Sequence, residues 1–90
     1  MGLTRNQAVA AAASFLIDQN FSRYGYTPAV DIGHVREIVT GFIVPWNTET
    51  FLRTGNISDG LAGNIPLLVD GVTGMCRFMT KEEINQYFFK

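Results

Sequence analysis

The chain has 90 residues, 47% of them hydrophobic, and a net charge of −1. That length holds one core and cannot divide into two, and the apolar content argues against disorder. The seven Lys and Arg are scattered without a run, so the basic field of a nucleic-acid binder is missing and no nucleic acid is expected as partner.

Cys76 is the only cysteine, which rules out a disulfide within the chain and fits a reducing compartment. No apolar stretch approaches the roughly 20 residues that cross a bilayer, so no membrane contact is expected. The alanine run near the N-terminus suits an amphipathic helix better than a signal sequence. Met1-Gly2 invites acylation, but Asn6 stands where that motif needs Ser or Thr. The expected location is cytoplasmic, with residues 1–90 forming a single domain.

Thr4 opens the first helix, and Gln7 is placed to complete a capping box. On a helical wheel Val9, Ala12, Ala13 and Leu16 share the inner face, flanked by Phe15 and Ile17. Residues 20–28 connect, with Phe21, Tyr24 and Tyr26 covering the end of the core and Gly25 suited to a helix stop. Residues 29–35 read as a first strand, weakened by Asp31 and Gly33. Residues 37–46 read as a second, apolar on both faces and limited near its end by Pro45, with a hairpin turn at Arg36-Glu37. A polar stretch follows, and Phe51 and Leu52 pin a long loop carrying Gly55, Gly60 and Gly63. Residues 65–69 and 75–79 are the last two strands, joined through Asp70, whose carboxylate accepts backbone N–H groups, and Gly74. Thr80 and Glu83 form a second capping box for a short C-terminal helix. The expected fold is α+β: an N-terminal helix, a four-stranded antiparallel meander and a short C-terminal helix.

Groups able to do chemistry are few. His34 is the single histidine and reads as solvent-facing; Cys76 lies among apolar neighbours, as buried inert cysteines do. Asp59-Gly60 and Asp70-Gly71 are turn dipeptides outside any calcium-loop spacing, and the glycines are followed by no Lys-Ser/Thr. No catalytic, cofactor-binding or metal-ligating set emerges, and no enzyme activity is expected. Trp46 reads either as core or as an interface anchor. Phe51, Arg53, Asn56, Asp59 and Asn64, in the loop that follows, are the candidate partner contacts beside it.

Residues 41–47, the Phe51-Leu52-Arg53-Thr54-Gly55 run, and residues 61–70 with the Gly74 turn resemble the YrhB-like family, also called immunity protein 35. The Leu61-Ala62-Gly63-Asn64-Ile65-Pro66 stretch with its flanks carries most of the resemblance, which covers residues 41–90 well and the N-terminal helix by position and pattern only. It implies a small bacterial α+β protein, encoded beside polymorphic toxins (some secreted by type VI systems), that binds and neutralises a cognate toxin domain. A chaperone-like role is also attached to the family, and its toxins span several chemistries. Asn64, Pro66 and the glycines are then fold-setting positions. Rival readings are a general holdase, a small enzyme built on His34 and Cys76, and a homodimer formed through an exposed apolar face of residues 38–46.

Overall fold

The computed structural model describes residues 2–88; Met1, on which the acylation reading partly rests, lies outside them. Helix α1 spans Arg5–Asp18, strands β1 Pro28–Val30, β2 Arg36–Ile38, β3 Gly41–Val44 and β4 Trp46–Thr48. Helix α2 spans Glu49–Thr54, β5 Leu67–Asp70, β6 Cys76–Phe78 and α3 Lys81–Phe88. The fold is α+β, with the expected terminal helices and a four-stranded antiparallel meander in the order β2-β3-β5-β6. A separate two-stranded ribbon pairs β1 with β4.

Both capping boxes form. Thr4 accepts from Gln7 N while its own N–H donates to the Gln7 side chain, and Thr80 and Glu83 repeat the exchange at α3. Helix α1 turns Ala8, Ala12 and Leu16 into the core, each no more than 1% exposed. That face is rotated from the expected one: Val9 and Ala13 are half-buried, and Ile17 is exposed. The two alanines let the helix backbone come close to the sheet, where Phe42, Val44, Leu67 and Val69 meet it.

Of the expected strand over residues 29–35 only residues 29–30 are strand, as the end of β1. A single 3-10 turn over Ile32–His34 takes the place of the rest, with His34 N donating to Asp31 O at 3.1 Å, and β2 starts only at Arg36. The hairpin turn falls at Val39-Thr40, between the paired Ile38 and Gly41, rather than at Arg36-Glu37. Gly41, which follows the turn, lets β3 lie close against β5, because a Cβ there would stand 2.0 Å from Val69 O. The expected strand over residues 37–46 breaks at Pro45, which has no N–H for a ladder. The chain leaves the sheet there, and Pro45 O accepts from Asp31 N at 2.9 Å to start the β1–β4 ribbon.

Pleat alternation sends Arg36, Ile43, Leu68 and Arg77, which stand side by side across the sheet, to the face opposite α1. Arg36 Nη1 donates to Tyr87 O at 3.0 Å, and Arg77 grips the Glu83 carboxylate with two bonds of 2.7 and 2.8 Å. Helix α3 is thereby clasped across this face. Residues 41–44 and Trp46 are buried, and Val39 at the hairpin turn is the one exposed apolar residue of the 38–46 stretch, so that stretch presents no continuous apolar face.

Candidate functional site

His34 and Cys76 share no hydrogen bond among the described residues. His34 Nδ1 lies 3.0 Å from both carboxylate oxygens of Asp31 on an exposed turn. Burial pushes the Cys76 thiol up to about 11, so it is not a thiolate at neutral pH. The Asp70 carboxylate is lowered by the N–H groups of Thr73 and Val72, which it accepts while closing its turn. Among the described residues no group of three or more His, Cys, Asp or Glu could hold a metal ion. No helix of the described residues is long and apolar enough to cross a membrane.

The most organised surface lies where β4 leaves the sheet. Asn47 Oδ1 accepts from Thr48 N and Leu61 N, both at 2.8 Å, while its Nδ2 donates to Leu61 O at 3.3 Å. Buried Thr48 caps α2 by accepting from Phe51 N and donates its hydroxyl to Asp59 O at 2.6 Å. Trp46 Nε1 donates to Ile65 O at 2.7 Å, and Asn64 Nδ2 donates to Trp46 O. Three consecutive residues of β4 therefore brace the long connection at Asp59, Leu61, Asn64 and Ile65. What reads as a loop in sequence is a fixed surface, shaped further by α2 and a 3-10 turn over Ile57–Asp59 that the Asn56 side chain caps.

An aromatic ladder runs outward beside it. Buried Trp46 stacks on Phe21 with centroids 4.9 Å apart, Phe21 stacks on Tyr26 at 5.8 Å, and Tyr26 on Tyr24 at 6.4 Å. Tyr24 is 61% exposed and carries the Arg23 guanidinium over its ring. Tyr26 forms a wall shared by two shallow recesses. One, about 370 Å³, is apolar and bounded by Phe21, Trp46, Leu61, Ile65 and Phe78. The other, about 340 Å³, is polar and bounded by Thr27, Thr48, Glu49 and Asp59.

The six candidate contacts separate into two groups. Arg53 and Asn56 are exposed and Asp59 is half-buried at the rim. Phe51 is half-buried against Gly60, where a Cβ would come within 2.8 Å of its ring. Trp46 is 5% exposed, and Asn64 is spent on its bond to Trp46. The candidate loop of residues 47–64 included Asn47 and Thr48, but not their bracing role, because a polar residue after a tryptophan gives no sign of the partner it finds 11 to 14 residues later. Sequence reasoning placed Tyr24 and Tyr26 over the core without detecting that they continue the Trp46 stack to the surface.

The model of the family described as immunity protein 35 matches residues 6–83, extending the likeness from the C-terminal half to α1. The YrhB-like name rests on the resemblance alone. No curated protein and no solved structure matches the chain.

Proposed function

The chain belongs to the immunity protein 35 family, and from that premise we propose that it binds a cognate bacterial toxin domain in the cytoplasm. It neutralises the toxin by covering its active site and performs no chemistry of its own. Toxins delivered between bacteria, those of type VI systems included, are the class the resemblance names. The observation that carries this reading is the braced surface after β4 and the connection between α1 and β1 beside it, which presents Tyr24, Tyr26 and Arg23 next to an apolar recess. Tyrosine, tryptophan and arginine in a preorganised setting are what dominate binding energy at protein interfaces. A standard interface takes about 800 Å² from each partner, a small part of the 6021 Å² this molecule exposes, so one end of it is enough.

In this reading Arg53, Asn56 and Asp59 touch the toxin directly, while Trp46, Phe51 and Asn64 hold the surface in shape. Coexpression with the toxin encoded by the neighbouring reading frame tests it. Arg53→Glu, Asp59→Arg and Tyr24→Ala are each expected to weaken binding about tenfold or more, some 1.4 kcal/mol, with an unchanged fold. Full protection and affinity in all three would remove the contact surface from the account. Death of cells carrying the wild-type protein would remove the immunity function itself.

A further inference from the structure

Strand β6 is the outermost strand of the meander and is hydrogen-bonded on one side only. Its register fixes which backbone groups are spent. Met79 N donates to Pro66 O at 3.0 Å and Asp70 N to Met75 O at 2.9 Å. Antiparallel pairs alternate between bonded and non-bonded, so Arg77 is the next bonded pair with Leu68, and Cys76 and Phe78 fall between. The N–H and C=O groups of Cys76 and Phe78 therefore point away from β5, off the edge of the sheet. Among the described bonds outside the ladder, only Arg77 Nη1 reaches this row, at Phe78 O. The opposite edge offers less: between its bonded pairs β2 turns out only the backbone of Glu37.

We propose that this edge receives an extended segment of the partner protein, added beside β6 as a fifth strand. Main-chain bonding of this kind takes its specificity from pockets for alternate side chains, and one lies in line. Phe78 borders the apolar recess of about 370 Å³ next to Trp46. The Trp46 indole N–H and one Asn64 amide N–H at its margin are already donated within the chain, and the other side chains that bound it are apolar but for the Tyr26 hydroxyl. The side chain of the added strand that passes Phe78 is accordingly apolar, a large aliphatic or aromatic group, while its backbone bonds to Cys76 and Phe78. The docking edge and the braced surface thus form one continuous interface. The inference rests on the immunity reading, since it names how that toxin is held.

The register supplies a selective test. Cys76→Pro removes an outward N–H and no ladder bond, a substitution that edge strands accept, whereas Cys76→Ala keeps the N–H. With the toxin domain of the neighbouring frame as probe, Cys76→Pro is expected to lose at least tenfold in affinity and Cys76→Ala to match the wild type, both with native circular dichroism. Hydrogen exchange on the wild-type complex gives a second readout independent of any variant. The Cys76 and Phe78 amides exchange freely alone and become protected when bound, while the Arg77 amide is protected in both. A complex in which Cys76 and Phe78 stay unprotected overturns strand addition and leaves immunity standing. Absence of any complex overturns both.

Discussion

Asn47 holds more of the surface after β4 than any aromatic residue does. Its amide group is shared among three bonds to Thr48 and Leu61, and truncation leaves the two N–H groups and the carbonyl without partners. At about 1 kcal/mol per bond, with a further penalty for unpaired buried groups, Asn47→Ala is expected to cost about 2–3 kcal/mol in urea unfolding. Asn47→Asp keeps both amide acceptances and should cost less. Equal losses in the two would mean that the acceptor is not what matters. Gly41 is a second such position: a Cβ would meet Val69 O at 2.0 Å and Gly71 N at 2.7 Å. Gly41→Ala must push β3 off β5, and its unfolding free energy should fall by at least about 2 kcal/mol; a neutral variant would contradict the register. The resemblance marks Gly41 among the fold-setting glycines, but neither its close approach to Val69 nor the bonds of Asn47 is visible in the sequence, where Asn47 reads as one more polar loop residue. Thr4, Thr80 and Asp70 were legible because their partners lie two or three residues away.

At the scale of elements, local signals were enough for the two terminal helices and the β5–β6 turn, while α2, expected as loop, went unread and long-range pairing redrew the first strands. Pro45 was readable as a limit on pairing, but not as the point where the chain leaves one sheet and founds another with β1. That outcome depends on Asp31 N and Glu49 N finding Pro45 O and Thr27 O, contacts with no periodic signature. Helix α3 has its own electrostatic dependence. The Arg77 guanidinium, and then the Thr80 N–H, hold the Glu83 carboxyl down to about 2 from its ordinary 4.5. A carboxyl depressed by folding stabilises fully above its unfolded value, and that contribution disappears as pH falls through its folded one. Glu83→Gln can still accept from Thr80 but cannot pair with Arg77. The thermal midpoint of the wild type should therefore exceed that of Glu83→Gln above about pH 5, with the gap closing as pH approaches 2. A gap independent of pH would show that packing, not the ion pair, holds α3.

For the molecule as a whole, one end of the domain gathers the features a binding surface needs. The aromatic ladder, the braced connection after β4 and the open edge of β6 meet around Phe78 and Trp46. Elsewhere three of the carboxylates are engaged in turns, caps and clasps: Asp31 by His34, Asp70 by its turn, Glu83 by Arg77. The proposed function asks only that this end be presented to a partner. The most direct measurement is survival of cells producing the neighbouring toxin domain with and without this protein, paired with the dissociation constant of the purified complex. The account predicts survival only with the wild-type protein and a one-to-one complex of submicromolar affinity, below about −8 kcal/mol; equal killing in both strains, or no complex, would contradict it.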